Sequence, residues 1–156
     1  MSNIFGKPRY GYSLETTDLA LSKPIWDLLD RGGKRWRPIL GMLLCEDLGG
    51  DAKKYLPIIA GMEMVHNGTL MVDDVEDDSQ SRRNKPCTHK LFGVDVAINA
   101  GNFMYFLPLS LLIQNTPKLS DKTKIAIYNT YSQEMINLSL GQGMDIVWHK
   151  GLASPS

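Results

Sequence analysis

One long apolar helical tract that runs straight into a cluster of acids constrains this chain more than any other feature. Ile58, Ile59, Met62, Val65, Leu70 and Met71 recur at helical spacing, and the segment Met71–Pro86 that follows reads MVDDVEDDSQSRRNKP. With the helix continued, Asp73 and Asp77 are i,i+4 neighbours on one face. Two carboxylates so placed, with no lysine between them, repel each other, and a divalent cation removes the repulsion. Hard oxygen donors with no Cys or His nearby suit Mg2+, which keeps its waters and bridges to phosphate oxygens. Arg82 and Arg83 lie just downstream, and a guanidinium fork matches phosphate bidentately. Acid for metal beside base for phosphate describes a diphosphate site.

On charge alone, such a cluster reads as solvated surface. Three features weigh against that here. The acids follow a strongly apolar stretch, where unpaired charge is costly. Asp73 and Asp74 sit toward the C-terminal end of the helix, where the macrodipole disfavours anions. A second basic group stands at Arg31–Pro38, RGGKRWRP.

The rest of the chain predicts an all-α fold. Helical tracts are expected over about 14–30, 35–48, 51–77, 95–113 and 121–148, and no stretch alternates as a strand would. Gly32-Gly33 and Gly49-Gly50 end the first two tracts. The third carries Glu63, His66, Asp73 and Asp77 near one polar stripe. Ser79–Lys90 reads as a polar loop. The fourth tract is apolar nearly all round, so it is expected to be buried, with Pro108 bending it near Met104. The last delivers Gln142 and Asp145. No repeat, linker or domain boundary is visible.

Composition narrows the function classes. The 156 residues are 43% hydrophobic, enough for one core. Seventeen basic and seventeen acidic residues give zero net charge, which argues against a nucleic-acid partner. Cys45 and Cys87 are far apart and form no CxxC, so a reduced, cytoplasmic setting is expected. No signal peptide is evident at Met1–Tyr10. The longest apolar run, Met104–Ile113, falls short of the roughly 20 residues of a membrane span.

GGKRWRP, then EMVHNGTLMVDDVEDDSQSRRNKPCTH, then GQGMDIVW resembles the trans-isoprenyl (polyprenyl) diphosphate synthases, in family order and over Gly32 to about Trp148. The middle block is most similar to geranylgeranyl diphosphate synthases. The resemblance implies an isoprenoid-synthase-type helical bundle of which this chain supplies the N-terminal half, in about five helices or fewer. It implies a prenyltransferase that condenses isopentenyl diphosphate with an allylic diphosphate, with Mg2+ as cofactor. Asp73 and Asp77 would hold the metal, and with Arg82 they would be the catalytic residues. Arg82, Asp74, Gln142 and Asp145 would face the allylic diphosphate. Lys34, Arg37, His66 and Arg83 would hold isopentenyl diphosphate, with Gly32 and Gly33 letting backbone approach the anion. Asp78 would be a solvated extra, and Arg35 a surface or dimer residue.

Rival readings accompany several of these residues. Adjacent arginines in a polar loop are usually surface charge. A lone His on an apolar helix is more often a satisfied core residue, although His66 lies seven residues before Asp73 on the same stripe. Gln142 and Asp145 alone are an ordinary polar patch. Asn102 stands where many family members carry an aspartate, a departure shared by geranylgeranyl-type members. Gly68 and Thr69, one turn or so before Asp73, are small, and Tyr105 and Phe106 come next. The four form the expected chain-length floor for a C20 product, though the aromatics read equally well as core.

The resemblance also implies a second aspartate-rich motif. Residues 1–156 carry none, since Asp121 and Asp145 stand alone. The chain is therefore read as one partial polyprenyl synthetase domain, not expected to turn over by itself. Its bare faces would pair with the C-terminal half or with a second copy in a homodimer. A non-catalytic partner subunit or split half of such a synthase stays open as an alternative, as does, more weakly, a terpene cyclase. No membrane span is expected.

Overall fold

A computed structural model describes residues 10–114 and 118–154. The chain forms two compact units that divide at residues 117–118. In the first, α1 (Leu14–Thr17), a π-helical stretch (Asp18–Ser22) and α2 (Lys23–Asp30) run on without a break. α3 (Trp36–Asp47), α4 (Ala52–Glu76), α5 (Thr88–Phe92) and α6 (Val94–Ile113) follow. The second unit is α7 (Asp121–His149).

Local chemistry explains the boundaries. Ser13, Asp51 and Ser120 accept hydrogen bonds from the backbone N–H three residues on, capping α1, α4 and α7. Pro24 has no N–H to give, and the turn before it widens so that Lys23 N–H reaches Asp18 O. α4 ends in a Schellman closure, with Ser79 N–H on Asp74 O at 2.9 Å and Asp78 N–H on Val75 O at 3.2 Å. Asp78 takes the left-handed position, φ +48°, that glycine usually fills.

The core of the first unit lies between α2, α4 and α6, where Ile25, Leu28, Met71, Ala97, Ala100 and Met104 are buried. α4 and α6 pack antiparallel, since Gly68 meets Gly101 while Gly61, further back on α4, meets Pro108, further on along α6. A Cβ on Gly68 would stand 2.8 Å from Gly101 O and 3.0 Å from Met104 Cβ. The helices approach as closely as they do because that side chain is missing.

Three features differ from the sequence expectation. Ser79–Lys90 is ordered: Ser81–Arg82 (β1) and Lys85–Pro86 (β2) form an antiparallel hairpin, and the loop then enters α5. Two-residue strands are too short for periodicity to reveal. α6 is not buried all round, because Phe106 is 65% and Ile113 74% exposed. Apolar composition records what a helix could bury, whereas exposure depends on the neighbours present. α6 is also 20 residues long, long and apolar enough to cross a membrane by length and composition alone. The uninterrupted run Met104–Ile113 understated it, because Asn99 and Asn102 break the sequence run but not the helix. It is a packed helix here, through Ala97, Ala100, Gly101 and Met104.

Candidate functional site

The four aspartates at the end of α4 have unlike surroundings. Asp74 is buried, and Arg82 grips one of its oxygens, Oδ1, through Nε at 2.9 Å and Nη2 at 2.5 Å. Its other oxygen has no hydrogen-bond partner of ordinary geometry. Beyond Arg82 the carboxylate has the buried Cys87 thiol beside it, and burial together with that carboxylate pushes the thiol pKa up to about 11. Asp73, one residue earlier, is about one-third exposed and lies 3.8 Å from Arg82 Nη2. Asp77 is exposed at the helix end, its N–H still on Asp73 O at 2.9 Å, so the two share a face one turn apart. Asp78 is exposed but engaged, pairing with Lys90 of α5 at 2.6 Å. Lys90 holds its carboxyl below the usual range.

Among the described residues, no three His, Cys, Asp or Glu side chains form a ready-made metal cluster. Asp73 and Asp77 offer two hard oxygen donors at a solvent-facing helix end. That donor set fits Mg2+, which takes its remaining ligands from water and phosphate.

Arg82 and Arg83 are displayed by the hairpin. Arg83 and Asn84 have φ of +53° and +62°, the two successive positive values of a type I′ turn. Arg83 reaches back under the turn, donating to Leu28 O at 3.1 Å and to Asn67 Oδ1 at 2.8 Å. Its guanidinium lies over Gly33, where a Cβ would stand 3.2 Å from Arg83 Cζ and Nη2. Gly33, at φ +142°, therefore serves both the turn and the close approach. Burial, then the charge of Arg35, lower the Arg83 pKa from its ordinary value.

The GGKR segment adds further cations. Lys34 is exposed and pairs with none of the described residues. Arg37 lies over the Trp36 ring, 4.6 Å from its centroid. Burial, Arg37, Arg83 and Arg82 lower the His66 pKa, with Glu63 opposing. Arg37, Arg82 and Arg83 thus all lie within electrostatic reach of His66.

The polyprenyl synthetase family model matches residues 18–154. The chain belongs to the polyprenyl synthetase family. It is 33% identical to a geranylgeranyl pyrophosphate synthase of Dictyostelium discoideum over 96% of its own length and 47% of that protein's. It is 37% identical to one of Claviceps paspali over 87% of this chain and 39% of the relative. Among solved structures, a geranylgeranyl pyrophosphate synthetase from Geoglobus acetivorans matches with TM-score 0.77 and 29% identity, over 86% of this chain and 46% of that one. A geranyltranstransferase from Thermotoga maritima matches with TM-score 0.76 and 31% identity, over 95% and 52%. The chain spans about half the length, or less, of the curated relatives it matches.

In this polyprenyl synthetase chain the expected residues separate into groups. Asp73, Asp74, Asp77, Arg82, Arg83, Arg37 and His66 gather around α4 and the hairpin. Gln142 and Asp145 lie three residues apart on α7, in the second unit. Gly68 is filled against α6 rather than open, with Tyr105 Cε1 within 3.1 Å of where its Cβ would be. Thr69 turns its hydroxyl to His66 O at 2.8 Å, and Phe106 is exposed.

Arg35 corrects its sequence assignment. It caps α3 in the left-handed conformation, φ +50°, which swings its side chain inward. There it donates to Glu63 Oε1 at 3.2 Å and Leu29 O at 2.8 Å. A helical register set from the later residues mispoints a residue that is not itself helical. Asn67 was not foreseen. It is buried and links Arg83 to Glu63, donating to Glu63 O at 2.6 Å. Its signal was the i,i+4 spacing from Glu63. Asp27 and Arg31 were also missed as a pair; Arg31 holds Asp27 through Nε at 3.1 Å and through Nη2, and donates from Nη1 to Arg82 O at 3.0 Å.

Proposed function

We propose that the protein carrying this chain is a Mg2+-dependent prenyltransferase that condenses isopentenyl diphosphate with an allylic diphosphate, yielding C20 geranylgeranyl diphosphate. One observation carries the reading: the Asp73/Asp77 face ends within reach of an ordered Arg82–Arg83 hairpin, which itself lies on the GGKR turn. Acid for metal and two groups of base for two diphosphates are thereby supplied from one small region. The names of its relatives support the C20 product.

Asp73 and Asp77 would hold the metal. When bound, Mg2+ supplies electrophilic stabilisation of the departing diphosphate. Arg82 adds a guanidinium whose Nη1 edge no described residue engages, aimed at the allylic diphosphate. Asp74 acts through Arg82, holding it in place, rather than on the ligand. Arg83, Arg37, Lys34 and His66 hold isopentenyl diphosphate. Gln142 and Asp145 belong to the allylic side. Tyr105, resting on Gly68 five residues before Asp73, supports a chain-length floor at that level with Thr69 and Phe106. The apolar residues left exposed on α3 and α6 are covered by the rest of the longer protein or by a second copy. The setting is cytoplasmic.

The test is to incubate the whole protein with radiolabelled isopentenyl diphosphate, an allylic primer and Mg2+, then extract lipid-soluble label. Label in a C20 product supports the reading. Cyclisation of the primer without use of isopentenyl diphosphate would replace it with a terpene cyclase.

A further inference from the structure

We infer that Asp27 and Arg31 are positioning residues for the arginine hairpin, holding the Arg82–Arg83 peptide so that the Arg83 guanidinium meets a diphosphate. The inference rests on the reading above and concerns two residues outside the segments that carry the family resemblance.

The Arg31 side chain is 0% exposed. A guanidinium taken from water must have its edges satisfied. Two of its nitrogens go to Asp27 Oδ2, four residues back on the same helix, and the third reaches Arg82 O at 3.0 Å across 51 residues of sequence. Asp27 Oδ1 lies 4.0 Å from Lys85 Nζ. Arg82 and Lys85 pair with each other and flank the Arg83–Asn84 turn. One ion pair on α2 therefore touches both feet of that turn.

The turn needs such a hold. Arg83 has φ +53°, a conformation that costs a non-glycine residue free energy and persists where the surroundings impose it. The carbonyl that Arg31 grips belongs to the peptide leading directly into Arg83. Buried as it is, Arg31 presents no edge to a ligand, so it acts through its neighbours. A lysine would supply the charge without the fork that serves Asp27 and Arg82 O together.

The experiment titrates inorganic diphosphate by calorimetry, without Mg2+, into the whole protein and into Arg31→Met, Arg31→Lys, Arg83→Ala and the Arg31→Met/Arg83→Ala pair. Arg31→Met should weaken diphosphate binding about tenfold and Arg31→Lys less. In the Arg83→Ala background Arg31→Met should add less than about twofold, because contacts in one network are not additive. An unchanged affinity, or the same weakening in both backgrounds, would overturn the inference, since a purely structural role does not depend on Arg83. Should Arg31→Met fail to fold, Asp27→Asn keeps the shape and meets the same criteria. A wild-type protein that binds no diphosphate would instead sink the functional reading, and this inference with it.

Discussion

Asp73 and Asp74 are adjacent in sequence and opposite in state. Asp74 is buried and held by two hydrogen bonds from Arg82. Asp73 is one-third exposed, with that guanidinium only at 3.8 Å. The same contrast separates two regions of the site. The basic side is built in advance: Arg31, Arg35, Arg82 and Arg83 are each fixed by carbonyl, amide or carboxylate partners. The acidic side, Asp73 and Asp77, faces solvent, and among the described residues no third His, Cys, Asp or Glu joins them in a metal-sized cluster. Cations anchored in this way can receive an anion with little rearrangement, which is where preorganised electrostatics gains its strength. Two carboxylates by themselves bind Mg2+ weakly until phosphate oxygens complete the shell. On the proposed function, diphosphate and metal would therefore bind together rather than metal first.

The sharpest way to break this contrast is to remove one acid of the open pair. In the whole protein, Asp73→Ala should lower turnover by about a thousandfold or more, since metal stabilisation of leaving-group charge amounts to several kcal/mol. Circular dichroism and the melting temperature should barely move. Steady-state kinetics beside a thermal scan decides it; a large loss of stability with modest loss of turnover would reverse the roles given to Asp73 and Asp74.

Asp74→Asn should do the opposite. It leaves Arg82 without its buried counter-charge, at a cost of about 3 kcal/mol in folding stability. Asp73→Asn should stay within about 0.5 kcal/mol of wild type, the usual range for an exposed position. Urea unfolding of the two variants side by side makes the comparison directly, and equal midpoints would contradict it.

Gly33→Ala tests the basic side with one carbon. The added Cβ would stand 3.2 Å from two atoms of the Arg83 guanidinium, so Arg83 has to shift by a few tenths of an ångström, and the backbone at φ +142° is strained as well. The apparent Michaelis constant for isopentenyl diphosphate should rise about tenfold, and that for the allylic substrate should change little. Equal effects on both would mean that Arg83 serves the two diphosphates alike.

These residues were unequally readable in the sequence. The helices were legible because apolar periodicity and glycine stops are local: Gly32-Gly33 and Gly49-Gly50 end the first two tracts. The acid pair and the twin arginines were legible as a group because i,i+4 spacing and charge survive without coordinates. What separates Asp73 from Asp74 was not, because it depends on where the hairpin folds back, and a two-residue strand leaves no periodic trace. Arg35 went astray for a related reason: one left-handed residue at a helix start redirects a side chain. Asn67 and the Asp27–Arg31 pair had helical spacing in their favour, but such pairs are common on solvated helices, and only burial sets these apart. The exposure of Phe106 was hidden because composition cannot count missing neighbours.

The smallest effect is a titration. Burial and the charges of Arg37, Arg83 and Arg82 hold the His66 pKa below 6.5 in the folded chain, against the pull of Glu63. Between that lowered value and 6.5 the unfolded chain binds more protons than the folded one. Stability should therefore decline as pH falls through this window, and His66→Gln should flatten the decline. Inorganic diphosphate, placed among the same cations, should offset them and move the His66 pKa upward. Mg2+ alone should not, because Asp73 lies seven residues along the helix, a rise of about 10 Å and comparable to the screening length at moderate salt. Following the His66 ring proton by NMR across pH 5–8, with diphosphate, with Mg2+ and with neither, separates the two regions. A diphosphate-induced rise places His66 with the preformed cations. A shift driven by Mg2+ alone would move it to the acidic side and dissolve the division between the two.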